Sequence, residues 1–228
     1  MIVYSVSVIL NKMTTSETID PSRLEIKVVS GRDLLPHMEA LARLRISVFR
    51  AFPYLYDGDM EYEKKYLSTY MDKPDAMTVL VLDGGKAVGA STALPLIDET
   101  DEVIRPFVDK GIAPKEVFYL GESVLEPTYR GMGLGVRFFE EREKFARMKA
   151  GAPPQGDGKP WRLLAFCAVE RPAGHPMRPA GYVPLDRFWE NRGYRKQTGM
   201  QTTFSWKDLG DAGESRKPMT FWLKELAK

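Results

Sequence analysis

Apolar positions along the chain recur at two periods, and the changes between them predict the elements. Leu24 to Val29 alternates apolar with charged residues, as a half-buried strand does, and ends at Ser30-Gly31. Leu34, Met38, Leu41, Leu44 and Val48 then recur at helical spacing and predict a helix from Leu34 to Phe49. Phe52 to Gly58 interrupts it, and a second helix is expected from Glu61 to Tyr70. Met77 to Leu82 and Ala87 to Leu96 read as two strands joined across Asp83-Gly84-Gly85, a sequence suited to a tight β-turn. A short helix over Asp98 to Lys110 and a strand over Glu116 to Leu125 follow.

The next helix runs to about Lys149. Its pattern puts Leu134, Phe138, Phe145 and Met148 inward and Glu140, Glu141, Glu143, Lys144 and Arg147 outward. Leu163 to Val169 is continuously apolar, as a central strand covered on both faces should be. Leu185 to Arg192 predicts a short helix ended by Gly193. Tyr194 to Trp206 and Pro218 to Leu226 supply the last strands, separated by a polar loop from Asp208 to Lys217.

With 228 residues, 43% of them hydrophobic and 28% charged, the chain can bury a core without staples. The expected organisation is an N-terminal arm over residues 1–22, mobile or paired as an edge strand, and one domain over residues 23–228. Lys and Arg number 33 against 31 Asp and Glu, so a net charge of +2 gives no general attraction to nucleic acid or to a membrane. The single cysteine, Cys167, excludes an internal disulfide framework and reads as a buried small hydrophobe. With only two histidines, no Cys/His metal site is expected. The apolar opening, Met1 to Leu10, lacks a basic region before it and a small-residue cleavage site after it, so the expected location is cytoplasmic.

The densest chemical signal is Leu125-Glu126-Pro127-Thr128-Tyr129-Arg130-Gly131-Met132-Gly133-Leu134-Gly135, between a strand and an amphipathic helix. Alternating glycines let the backbone curl and aim N–H groups outward at the positive end of the helix dipole, an arrangement that holds phosphate. A dinucleotide fingerprint would need a third glycine where Val136 stands, and a Walker loop would need Lys and Ser or Thr after Gly135, where Val136 and Arg137 stand.

A strand that breaks at Pro127 and enters Arg-x-x-Gly-x-Gly resembles the pyrophosphate loop of the GNAT acetyltransferases. A second segment, Phe188-Trp189-Glu190-Asn191-Arg192-Gly193-Tyr194, is similar to the Phe-Tyr-x-x-x-Gly-Phe segment of that family. The order of predicted elements over residues 23–226 also looks like that fold. The resemblance implies an α/β (α+β) fold with a mixed central sheet flanked by helices. It implies an enzyme that moves an acetyl group from acetyl-CoA to a primary amine, on a small molecule or a peptide, by direct attack in a ternary complex. It allows a homodimer.

The resemblance assigns the pyrophosphate to Arg130 and the backbone of Gly131, Met132, Gly133, Leu134, Gly135 and Val136. Leu125, at the strand end, would bond the pantetheine arm, and its amide would polarise the thioester carbonyl. For the base, Glu122 stands in the apolar run Val117 to Leu125, where burial favours a carboxylate that works near neutral pH, and Ser123 could order a water beside it; the alternative is an edge-facing glutamate that binds the substrate cation or a structural partner. Where many relatives carry a tyrosine that protonates the departing CoA, this chain has Trp189, whose indole is no acid. Tyr182 is the substitute, with Tyr194 and solvent as alternatives. The long loop Glu170 to Tyr182 would set Arg171, His175 and Arg178 beside the acceptor to read an acidic group; the alternative is a rigid surface loop, the preferred reading for His175. Phe49, Phe52, Tyr54 and Tyr56 would form the opposite wall. A non-catalytic acyl-CoA sensor and a transferase of longer acyl groups remain open alternatives.

Overall fold

The computed structural model describes residues 19–150 and 161–226. The apolar opening Met1 to Leu10, and the arm down to residue 18, lie outside the described residues.

Among the described residues, seven strands form one sheet: β1 (Leu24–Val29), β2 (Met77–Asp83), β3 (Lys86–Pro95), β4 (Val117–Leu125), β5 (Leu163–Val169), β6 (Arg195–Lys207) and β7 (Glu214–Glu225), in the order β1-β2-β3-β4-β5-β7-β6. Every neighbouring pair is antiparallel except β4 and β5, which are parallel. Helices α1 (Met38–Phe49), α2 (Met60–Ser68) and α3 (Asp101–Asp109) cover one face through Leu41, Leu67 and Phe107. Helices α4 (Leu134–Ala150) and α5 (Asp186–Glu190) cover the other through Phe138, Phe139 and Trp189. The central strand β4 is buried along its whole length, as expected of a strand packed on both faces.

Local chemistry explains where the observed elements depart from the predicted ones. The helix expected from Leu34 starts as a tighter 3-10 turn, Gly31–His37, because Pro36 has no N–H to give and its ring crowds the preceding turn. Asp59 caps α2, its carboxylate accepting from the Tyr62 N–H at 2.9 Å. The β2–β3 hairpin closes on Gly84 (φ 55°) and Gly85 (φ 85°), a left-handed pair that fits a two-residue turn. The polar stretch expected as a loop over Asp208 to Lys217 is partly strand: Glu214 pairs with Lys207 and Lys217 with Phe204, so β7 begins before its apolar half.

Two assignments on α4 are corrected. Met148, expected inward, is 69% exposed, and Glu143, expected outward, is 7% exposed. Glu143 accepts from the Tyr194 hydroxyl at 3.1 Å and from the Lys224 ammonium at 2.8 Å through both oxygens, so its charge is compensated where a lone carboxylate would not be buried.

Candidate functional site

The site begins as a fork in the sheet. β4 and β5 pair only over Val117 to Tyr119 and Leu163 to Ala165. Beyond that, β4 stays bonded to β3 as far as Leu125 and β5 stays bonded to β7 as far as Val169, so the two strands part. A bulge accompanies the split: Leu120 pairs with Ala93 and Ser123 with Ser91, which leaves Gly121 and Glu122 opposite Thr92 alone. Side chains satisfy its backbone. The Glu122 N–H donates to Thr92 Oγ1 at 3.2 Å, and the Ser91 hydroxyl donates to the Glu122 carbonyl at 2.7 Å. Arg142, fully buried on α4, donates to the Thr92 and Glu122 carbonyls at 3.4 Å each. Gly121 is required here, since a Cβ would lie 2.6 Å from Thr92 Oγ1 and 2.7 Å from the Tyr70 hydroxyl.

At the mouth of the fork the Glu126 N–H bonds back to Val88 of β3 at 2.9 Å. Successive residues of a strand present their backbone groups to opposite edges, so Leu125 turns its N–H and C=O toward the gap. Arg130 reaches that point, its guanidinium donating to the Leu125 carbonyl at 3.4 Å. Between them runs the glycine loop, pinned by the Tyr129 hydroxyl on Asp83 at 2.8 Å. Gly131 and Gly133 are left-handed, with φ of 80° and 79°. Among the described residues the N–H groups of Gly131 to Gly135 find no acceptor within the protein, and they stand at the start of the 17-residue helix α4. Val136 departs from the expectation: its N–H, like that of Arg137, is committed to the Gly133 carbonyl, at 2.9 and 3.2 Å.

Glu122 faces α1 and α2 from its bulge. Its carboxylate pairs with Arg45, which also pairs with Glu63, and all three side chains are 2% exposed or less. The Tyr66 hydroxyl donates to Glu122 Oε2 at 3.0 Å and meets the Tyr70 hydroxyl at 2.9 Å. Arg45 lies over the Tyr66 ring at 4.1 Å. Burial pushes the Glu63 carboxyl up against the opposing pull of Arg45, and burial likewise raises Tyr66. Sequence reasoning missed Arg45 and Glu63. The signal was present, because Arg45 stands among Leu41, Leu44 and Val48 on the apolar stripe of α1.

The loop after β5 is stapled, and this corrects the expected role of Arg171. Its guanidinium donates to the carbonyls of Pro53 and Tyr54 at 2.7 and 2.8 Å and to both Asp208 oxygens at 2.7 and 2.9 Å, which leaves it occupied by the protein. His175 is also used locally, its Nδ1 accepting from the Met177 N–H at 3.2 Å. Burial alone would raise Asp208, but the hydrogen bonds and charge of Arg171, joined by Lys217, hold it below the usual carboxylate range. Because the folded value is the lower one, this pairing stabilises the fold fully above the unfolded carboxyl value of about 3.9 and loses that contribution as pH falls through the folded value. Melting temperatures of the wild type and Asp208→Asn are therefore expected to differ most near neutral pH and to converge as pH drops below about 4. A gap that stays constant over that range would contradict the pairing.

Tyr182 packs edge-on against Phe52 at 4.7 Å, and Arg178 lies over its ring at 4.8 Å. Burial raises the Tyr182 hydroxyl, partly offset by Arg178. Among the described residues no hydrogen bond joins Tyr182 to Glu122. Tyr182, Phe52 and Arg178, with Trp189, Trp222, Lys196 and the end of β5, line a cavity of about 170 Å³ next to the fork. Tyr194 does not border the cavity; it is buried against Phe139, Phe166 and Glu143. In the opposite wall, Phe49, Phe52 and Tyr54 are core, and Tyr56 is half-buried. Cys167 is fully buried beside the Tyr119 hydroxyl at 3.1 Å, and burial pushes its thiol up to about 11, as befits a small hydrophobe rather than a nucleophile.

This mixed sheet flanked by helices matches the fold of solved GNAT-family acetyltransferases. Solved structures with this fold match nearly the whole described chain at low identity. The acetyltransferase of the GNAT family from Streptococcus pneumoniae is 14% identical, with a TM-score of 0.51 over 89% of this chain and all of its own. The Salmonella typhimurium protein yncA, solved with acetyl-CoA, is 10% identical, with a TM-score of 0.55 over 90% of this chain and 95% of its own. An aminoglycoside 6'-N-acetyltransferase complexed with coenzyme A is 15% identical, with a TM-score of 0.54 over 89% and 98%. No family model matches the sequence, and no curated protein matches it. Among the described residues no helix is long and apolar enough to cross a membrane.

Proposed function

We propose that the protein is an N-acetyltransferase that moves the acetyl group of acetyl-CoA to a primary amine by direct attack within a ternary complex. The observation that carries this reading is the row of unpartnered amides from Gly131 to Gly135 at the mouth of the β4–β5 fork. Five N–H groups and a helix N-terminus suit the pyrophosphate, with Arg130 beside them. Nothing lies within 4 Å of where a Cβ would stand on Gly131 or Gly133, which leaves room for a phosphate to approach the backbone. Leu125 offers one donor and one acceptor to an amide of the pantetheine arm. The yncA structure with acetyl-CoA and the aminoglycoside enzyme with coenzyme A support the same ligand class.

In the reaction the amine nitrogen bonds the acetyl carbon, the carbon–sulfur bond breaks, and the amine gives up a proton while the thiolate gains one. Glu122 is the proton acceptor in this reading, through a water or the Tyr66 hydroxyl. The Tyr66 hydroxyl, 3.0 Å from Glu122 Oε2, gives that proton a route to the carboxylate. Tyr182, kept protonated by burial, is the hydroxyl assigned to the departing thiolate.

Release of CoA from acetyl-CoA, followed with a thiol-reactive dye over polyamines, amino acids, aminoglycosides and short peptides, tests the proposal. Acceptor-dependent release is expected. Binding without release from any acceptor would favour a sensor. Glu122→Gln is expected to keep acetyl-CoA affinity and lower turnover at neutral pH by about 10²-fold or more, the scale of general base catalysis. Equal turnover would remove Glu122 as the base.

A further inference from the structure

The cavity at the end of β5 is bordered by a guanidinium, that of Arg178, with no ion-pair partner among the described residues. Its volume of about 170 Å³ falls in the range that takes up a benzene-sized molecule. Trp189, 5% exposed, lines it. Arg178, also in the lining, stacks on Tyr182 and lies 5.9 Å from the Phe52 ring, but joins no ion pair among the described residues. The two carboxylates of the lining are already matched: Lys196 holds Glu170 at 2.7 Å and Asp186 at 3.7 Å. Arg171 is taken by Asp208. Among the described residues of the lining, Arg178 is the cation left without an anion, between aromatic rings.

We propose that this cavity binds the carboxylate of the acceptor, so that the substrate is a small amine that also carries a carboxylate. Arg178 supplies the charge and the paired N–H geometry a carboxylate matches. A flat monoanion suits a single guanidinium flanked by Phe52 and Tyr182 better than a phosphate does. The cavity borders the fork through Ala168 and Val169 of β5, so an amine attached to the bound acid can extend toward the thioester. The word acceptor rests on the acetyl-transfer reading; the binding of a carboxylate does not.

The test is calorimetric titration of the full chain with benzoate, with the neutral isostere benzamide and with inorganic phosphate, alongside acetyl-CoA. Benzoate is expected to bind roughly tenfold or more tightly than either. Arg178→Gln, at a half-buried position, is expected to abolish the preference for benzoate over benzamide while leaving acetyl-CoA affinity unchanged. Equal affinity for benzoate and benzamide, no benzoate binding, tighter binding of phosphate, or a preference that survives in Arg178→Gln would each overturn the proposal. Selective benzoate binding by a chain that fails to bind acetyl-CoA would instead defeat the acetyl-transfer reading and leave the carboxylate site standing.

Discussion

Gly133→Glu is expected to weaken acetyl-CoA binding by at least about a hundredfold while the protein stays folded, as measured by calorimetry and thermal melting. Gly133 has φ of 79°, so any side chain there carries left-handed strain, on the order of 1 kcal/mol. The strain is tolerable because a Cβ at this position meets nothing within 4 Å. What changes is the space in front of the amides. A carboxylate placed among N–H groups that have no other acceptor would satisfy them itself and would repel the pyrophosphate. Like-charge juxtaposition costs several kcal/mol, and about 3 kcal/mol corresponds to a hundredfold. Gly133→Ala separates the two effects, because it keeps the strain without the charge. Its affinity is expected to fall by less than about tenfold. Unchanged affinity in a folded Gly133→Glu protein would remove the glycine loop from the site.

Arg45→Met is expected to cost about 3–5 kcal/mol of stability, the penalty of leaving buried charge without its partner. Arg45 is 2% exposed and is the cation shared by Glu63 and Glu122, at 0% and 1% exposure. Methionine fills much of the same space against Phe49 and Tyr66, so the loss comes from charge more than from volume. For a chain of this size the expected fall in melting temperature is on the order of 10 °C. Two further measurements distinguish electrostatics from packing. The deficit should shrink on acidification, since protonating the carboxylates removes their charge. Adding Glu122→Gln to Arg45→Met should recover part of the loss, which is a positive coupling. A deficit that is independent of pH and additive with Glu122→Gln would mean that Arg45 acts only by filling space.

The parts of this fold that were legible in the sequence are those in which neighbouring residues decide the outcome. The strand Leu163 to Val169 was read with its observed bounds, because a continuous apolar run between polar segments has one reading. The β2–β3 hairpin was visible in its two glycines, and the tight turn before α4 in its alternating glycines. Errors arose where distant elements decide. Glu143 looked like a solvated helix residue until Tyr194 and Lys224, from the far end of the chain, compensated its charge. Arg171 looked like a substrate reader, but Asp208 and two carbonyls of the α1–α2 connection occupy it. Glu122 was identified as a buried carboxylate, yet its partners stand on two other helices and no local pattern names them. Within the loop, Val136 was included by counting along the motif, whereas the first turn of α4 claims its N–H.

The most direct measurement is a calorimetric titration of the wild-type chain with acetyl-CoA. One site per chain is expected, with a dissociation constant in the range of about 1 μM to 1 mM that enzymes show for their substrates. Added salt should weaken it, since the pyrophosphate is held largely by charge. Absence of binding by a folded protein at millimolar acetyl-CoA would contradict the acetyltransferase account at its foundation.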